Sequence, residues 1–325
     1  MGKWWSLLFA VVMLFCLGIF IVAPSAGWWL PPGMSTHSAD VDFLFYVILY
    51  ITGFFFILTE AIMVVFMYKY AGHPGPAKAA LQSTGPNIFQ KIFPFLHSQH
   101  RVEMAWTIVP AGILLYIAFA QVPAWIRIKD RSQTPTFGDK KKQVPVQVQV
   151  SARQFEWRVR YPSSERVAKW LNGEDKDDFK SFAAFQHAQP KNPHQDDVWV
   201  VNEVHLVKDR PLLVHLNTLD VIHSFNIPFM RVKQDALPGK TIPVWFTPIK
   251  ANTRYDGKNK HWVDGINVET GETDHKYYRW EIACAELCGW GHHRMIGRIY
   301  VHEDEKDFLN WLKAKEEEVR PPTAK

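Results

Sequence analysis

Apolar residues along this chain change their spacing once, near residue 128. Before that point they fall in three long runs, at residues 4–23, 43–68 and 104–125. A helix needs ~20 apolar residues to cross a bilayer, and each run reaches that length. The second and third runs predict a transmembrane helical hairpin. The first supports two readings. Lys3 gives a minimal positive leader, and Ala23 and Ser25 offer a small-residue cleavage site, as in a signal peptide. Trp4, Trp5, Trp28 and Trp29 look instead like interfacial anchors of a retained span, and the run is long for a signal peptide.

Beyond residue 128 the period becomes two. Val144, Val146, Val148 and Val150 alternate with Gln147 and Gln149. Phe155, Trp157, Val159 and Tyr161 alternate with Glu156, Arg158 and Arg160, and Leu212, Val214 and Leu216 repeat the pattern. Such alternation predicts half-buried strands. His223 is expected to close a strand, and Asp235-Ala236-Leu237-Pro238-Gly239 to form a turn before another strand at 244–246. Residues 277–282 and 296–301 predict strands on either side of a short loop. Many short strands with intervening turns point to an all-β sandwich or barrel. Phe308, Trp311 and Leu312 stand at helical spacing, so residues 305–318 predict a helix that caps the sandwich. Residues 163–197 and 250–276 are polar and read as surface insertions. The expected organisation is a signal peptide or first span over 1–25, the hairpin over 26–128, the β domain over 129–303, and a helix and tail over 304–325.

Charge gives this plan an orientation. Lys69, Lys78, Lys91 and Arg101 follow the second run against Glu103, while Asp40 and Asp42 precede it. The positive-inside rule therefore puts 69–103 in the cytoplasm and the β domain outside. Glu60 lies within the second run, where a carboxylate is a functional candidate by default and pairing with another subunit is the plain alternative. Glu103 opens the third run and reads on spacing alone as an interfacial carboxylate. The net charge of +5 is too small and too scattered to argue for nucleic acid. Three cysteines are too few for a disulfide framework, and no Cys-x-x-Cys-His offers a haem attachment. Cys16 reads as a buried or lipid-facing thiol.

The chemistry is concentrated in Cys284-Ala285-Glu286-Leu287-Cys288-Gly289-Trp290-Gly291-His292-His293-Arg294-Met295. Thiolates, imidazole and thioether are the donor set that redox-active copper prefers. Two thiolates on one tight loop can bridge a pair of coppers, with His292 and Met295 as terminal ligands. His223, upstream, is the candidate for the further imidazole. His205, His215, His261, His275 and His293 lack comparable context and read as surface or satisfied histidines. A Cys284–Cys288 disulfide is the competing reading in an oxidising compartment, but it requires neither His292 nor Met295 at fixed offsets. The Glu286 carbonyl, between the thiolates, is a candidate weak ligand, and its side chain a candidate for a hard cation such as Mg²⁺. With all donors from protein, no position is open for a substrate. The chain itself is expected to conduct electrons and to have no catalytic residue.

These residues resemble subunit 2 of haem-copper cytochrome c oxidases. The resemblance rests on Glu103 with Trp106-Thr107-Ile108-Val109-Pro110, on Asp220-Val221-Ile222-His223-Ser224-Phe225, on the 235–239 turn and on the 284–295 loop. It implies a cupredoxin-like Greek-key domain behind a membrane hairpin, with a dinuclear CuA centre of two coppers per chain. Cys284 and Cys288 would bridge, His223 and Met295 would complete one copper, and His292 with the Glu286 carbonyl the other. The Glu286 carboxylate would bind Mg²⁺ at the boundary with subunit 1, and Glu103 would stand at the mouth of a proton channel. The resemblance further implies a cytochrome c-type donor, the haem-copper subunit 1 and other oxidase subunits as partners, membrane lipids around the spans, and a bacterial cytoplasmic membrane with the copper domain outside. Electrons would arrive at Phe155 and Trp157. The family usually has Trp directly after the Gln, where this chain has Gln154-Phe155-Glu156-Trp157, so the donor or its docking is expected to differ. Alternative functions are the CuA subunit of a nitric oxide reductase and a membrane-anchored copper chaperone. A quinol oxidase subunit is disfavoured because that branch has lost these ligands, and a nitrous oxide reductase carries a second large copper domain.

Overall fold

The computed structural model describes residues 2–70, 99–130, 133–135, 143–184 and 196–319. Lys78, Lys91 and residues 185–195 of the first insertion lie outside the described residues. The chain forms two compact units, Met1–Leu30 with Phe43–Ala124, and Pro31–Asp42 with Trp125–Lys325.

The apolar runs form three helices, α1 (Gly2–Val22), α2 (Ser38–Tyr70) and α3 (Gln99–Lys129). Each is long and apolar enough to cross a membrane. Phe54, Leu114 and Phe119 are among many exposed apolar side chains on them. Such surfaces suit acyl chains, and a helix satisfies its own backbone groups there. In α2 the Thr52 and Thr59 hydroxyls donate back to the carbonyls of Ile48 and Phe55, which pairs both within the helix.

The second unit begins with β1 (Val146–Arg153), β2 (Glu156–Tyr161), α4 (Ser164–Leu171), α5 (Lys176–Ala184), β3 (Val198–Val201), β4 (Glu203–Val207), β5 (Leu212–Thr218) and β6 (His223–Ile227). It continues through β7 (Val232–Ala236), β8 (Ile242–Phe246), β9 (Arg254–Asp256), β10 (His261–Val263), α6 (His275–Tyr278), β11 (Trp280–Cys284), β12 (Ile296–His302) and α7 (Glu305–Val319). Two five-stranded sheets form, in the orders β3-β2-β1-β5-β8 and β4-β12-β11-β6-β7. The chain passes between them repeatedly, as in a Greek-key sandwich. The pairs β1–β5 and β12–β4 are parallel, and the other pairs are antiparallel. One apolar core takes Val148, Val150, Trp157 and Val159 from the first sheet and Phe225, Ile282 and Ile299 from the second. This is the predicted all-β domain, with a cupredoxin-like order of strands.

Two expectations are corrected. His223 opens β6 rather than closing a strand, because β5 ends at Thr218 and residues 219–222 turn. Strands β1 and β5 and the second half of β2 are also not half-buried but buried on both faces. Gln147, Gln149 and Arg160 on their polar face are all buried. The reason is the 163–197 segment, whose helices α4 and α5 cover that face. Gln147 Nε2 donates to the Phe179 carbonyl at 2.9 Å, and Phe182 lies under the Arg160 guanidinium at 4.6 Å. Trp170, Phe179 and Phe182 make a small second core there. The 250–276 segment carries the β9–β10 hairpin. Helix α7 buries Phe308, Trp311 and Leu312 against the main core, as its spacing predicts.

Candidate metal centre

Strand pairing assembles the centre from distant sequence. β11 and β12 form an antiparallel pair in which Ala283 faces Ile296, so the 285–295 loop closes one end of a hairpin. The Cys284 N–H donates to the Met295 carbonyl at 3.1 Å and pins the base of the loop. β6 pairs with β11 on its other side, with Cys284 opposite Phe225, and the Ala285 N–H reaches the Ser224 carbonyl. His223, one residue before Ser224, is thereby placed beside Cys284. Inside the loop, Gly289 takes φ +131°, a conformation that side chains rarely adopt, and a single 3₁₀ turn carries His292.

The donors converge. Cys284 Sγ and Cys288 Sγ are 3.8 Å apart, and both cysteines are free. His223 Nδ1 lies 3.8 Å from Cys284 Sγ, and His292 Nδ1 3.6 Å from Cys288 Sγ. The Glu286 carbonyl lies 3.2 Å from Cys284 Sγ, and Met295 Sδ 4.0 Å from Cys288 Sγ. His223, Cys284, Cys288 and Met295 are buried, while the Glu286 side chain is exposed. A metal sits ~2.3 Å from a thiolate and ~2.0 Å from an imidazole nitrogen, so every sulfur–nitrogen and sulfur–sulfur gap here is short enough for a shared ion. The soft donor set and these separations fit copper. A disulfide needs its sulfurs ~2.05 Å apart, which is far inside the observed separation.

The electrostatics prepare the two thiols differently. Burial raises both. For Cys284 the hydrogen bond with His223 and backbone contacts outweigh burial and bring it down to about 6. Cys288 is pushed up to about 11 by burial and by the neighbouring Cys284 charge. Burial lowers His223, but Cys284 and Asp220 outweigh it and raise the imidazole. A metal held by these residues would take the place of these protons, with both cysteines binding as thiolates.

Two supporting residues carried no role in the sequence reading. Asp220 Oδ1 accepts the His223 Nε2 proton at 2.8 Å, which leaves the Nδ1 lone pair directed at the centre. The same carboxylate accepts the N–H groups of Val221 and Gln154, each at 2.7 Å. The Gln154 side chain in turn donates to the Cys288 carbonyl at 2.6 Å. An Asp three residues before a ligand His is a readable signal, whereas the Gln154 contact depends on tertiary structure. Such outer partners typically change metal affinity 10- to 100-fold. Asp220→Asn should therefore lose copper to a chelator about ten-fold more readily than the parent chain, with unchanged far-ultraviolet circular dichroism. Equal retention would remove Asp220 from the centre.

The remaining candidates sit as follows. Phe155 is half-buried and lies on the loop backbone at Gly289 and Gly291. Trp157 is fully buried and edge-on to His223, with ring centroids 6.3 Å apart, so it stands behind the centre and does not meet solvent. Glu103 belongs to the helical unit, near the start of α3. His205 and His215 are buried and hydrogen-bonded, to His302 and to Gln147, while His261, His275 and His293 are exposed.

Known proteins resemble this chain along most of its length. The model of the cytochrome c oxidase subunit II transmembrane domain matches residues 23–123, and that of its periplasmic domain matches residues 146–268. The chain is 24% identical over 312 residues to the alternative cytochrome c oxidase subunit 2 of Bradyrhizobium diazoefficiens, covering 93% of this chain and 89% of that one. It is 25% identical to cytochrome c oxidase subunit 2 of Thermostichus vulcanus, covering 87% and 77%. Among solved structures, the periplasmic domain of subunit II of the Bradyrhizobium japonicum oxidase is similar at 23% identity and a TM-score of 0.33, covering 55% of this chain and 99% of that one. With both domain models matched in order and the copper-type donors gathered at one loop, the chain belongs to the cytochrome c oxidase subunit II family.

Proposed function

We propose that this chain is the electron-input subunit of a haem-copper oxidase that reduces O₂ to water, and that its centre is a dinuclear copper site. The observation that carries this reading is the set of contacts of 3.2 to 4.0 Å that links two thiols, two imidazoles, a thioether and a carbonyl around Cys284 and Cys288. A copper pair there supplies a one-electron couple shared over two metals. Cys284 and Cys288 would hold it as shared thiolates, with His223, Met295, His292 and the Glu286 carbonyl as the remaining donors. The hairpin base and the Asp220–His223 bond hold the donors in place, so little has to move when an electron arrives. The buried set leaves no place for a substrate, which suits transfer rather than catalysis. It also suits retention of metal, which argues against a copper chaperone.

The chain is membrane-anchored, with the copper-binding β unit outside the cytoplasm and other oxidase subunits as partners. Within that frame, the donor is a c-type cytochrome and the acceptor is the haem-copper subunit 1 in a bacterial cytoplasmic membrane. The exposed Glu286 carboxylate is free to hold Mg²⁺ at the boundary with subunit 1. Glu103 stands at a proton path into that subunit, and lipids surround the spans. Phe155 lines the surface where electrons arrive, with Trp157 behind it. Metal analysis of the purified complex should give two coppers at this centre, with an EPR pattern of one unpaired electron shared equally. One copper with a single-copper hyperfine pattern overturns the dinuclear reading.

A further inference from the structure

The loop that carries the ligands also carries the most exposed aromatic side chain near them. Trp290 is 77% exposed, although it stands two residues after Cys288 and two before His292. It does not stand alone, since Leu287 on the same loop is 79% exposed, and grouped exposed apolar side chains mark contact surfaces. The position of the indole is held. The Phe155 ring lies edge-on to it, with centroids 5.3 Å apart and planes at 69°. The Arg294 guanidinium lies 4.8 Å from the indole centroid on the same loop. Beneath, Phe155 is pressed so closely on the backbone that a Cβ at Gly291 would come 2.4 Å from its ring. The His292 N–H bonds to the Gly289 carbonyl and the Arg294 N–H to the Gly291 carbonyl, so the turn on either side of Trp290 is fixed. Trp157 is enclosed and cannot touch a partner, and Phe155 shows only part of its ring.

We propose that Trp290 is the residue on which the donor's haem edge docks, and the first group an incoming electron crosses. This rests on the electron-input reading above and goes beyond it by naming the contact. The donor is a c-type cytochrome with an apolar surface around an exposed haem edge. Arg153 and Arg158 both pair with Glu156, each at 2.6 Å, so part of the positive charge beside Phe155 is already met and ring packing leads the contact. One electron leaves the haem iron, which is oxidised from Fe(II) to Fe(III), and reduces the metal centre. No bond forms or breaks, and the indole keeps its proton. From Trp290 the covalent path to His292 crosses a single intervening residue, Gly291.

The test uses the whole oxidase complex with Trp290→Ala and Trp290→Phe. Three readouts are taken: the Kd of the oxidised c-type cytochrome purified from the same membranes, the rate of single-electron arrival from its reduced form, and the rate with hexaammineruthenium(II). Loss of an exposed aromatic anchor should weaken cytochrome binding and slow arrival about ten-fold each in the alanine variant. Phenylalanine should restore most of both, while the ruthenium rate and the copper EPR signal stay as in the parent. Unchanged cytochrome binding and arrival in Trp290→Ala overturns the proposal. So does an equal slowing with hexaammineruthenium(II), which would make Trp290 a support of the loop. Absence of the shared-copper signal from the parent complex would count against the electron-input reading instead.

Discussion

A Cys288→Ser chain is expected to lose the shared two-copper EPR signal altogether and to slow electron arrival from the cytochrome by at least about 100-fold, the scale on which misplaced redox or reacting groups fail. Cys288 Sγ is the common neighbour of three other donors, at 3.8 Å from Cys284 Sγ, 3.6 Å from His292 Nδ1 and 4.0 Å from Met295 Sδ. A serine oxygen is hard and hardly ionises, so it cannot replace a bridging thiolate to a soft metal. The fold should survive. Serine is close to cysteine in volume, and the Gln154 bond to this residue uses the backbone carbonyl, which stays. Circular dichroism should therefore match the parent, with either one copper showing single-copper hyperfine lines or none. A delocalised signal that persists in Cys288→Ser would sink the bridging role.

The contrast between what could and could not be read from the residues follows from distance in sequence. Cys284, Glu286, Cys288, His292 and Met295 lie within one loop, and their spacing alone constrains them to one place. His223 was readable because its chemistry was missing from that loop, and β6 supplies it by pairing with β11. The helical runs were legible because a bilayer imposes their length. The role of Gln154 was not, since its side chain reaches the Cys288 carbonyl, 134 residues away in sequence, only once the fold has formed. The exposure of Trp290 was also hidden, because a Trp in a motif carries no sign of which way it faces. Alternation of Gln and Arg in β1 and β2 was misleading for a physical reason. Polar side chains can be buried when another segment supplies partners, and α4 and α5 do so here. The polar composition of 163–197 therefore concealed an ion-pair network instead of a solvated loop.

That network makes the largest stability prediction. The Asp197 side chain is fully buried and accepts from Arg160 Nη1 and from Arg166 Nη1, each at 2.7 Å. Arg166 also holds Asp178 through Nε and Nη2, and Asp178 accepts the Trp170 indole N–H at 2.9 Å. Burial pushes the Asp197 carboxyl up and the Arg160 guanidinium down, each towards its neutral form, while their attraction pulls both back. Two short contacts to separate guanidiniums favour the ionised carboxylate. Removing one member of a buried ion pair leaves the other charge uncompensated and costs about 3–5 kcal/mol. Asp197→Ala should therefore lower the unfolding free energy by that amount, a large share of the ~5–15 kcal/mol that holds a typical domain. The double variant Asp197→Ala with Arg160→Leu should recover part of the loss, because the stranded charge is gone. Chemical denaturation of the membrane-bound chain, followed by tryptophan fluorescence, reads both. The copper spectrum should stay unchanged until unfolding, since Arg160 and Asp197 touch none of the donor groups. A loss below about 0.5 kcal/mol, the range of ordinary surface substitutions, would mean that water reaches this face and that α4 and α5 do not seal it.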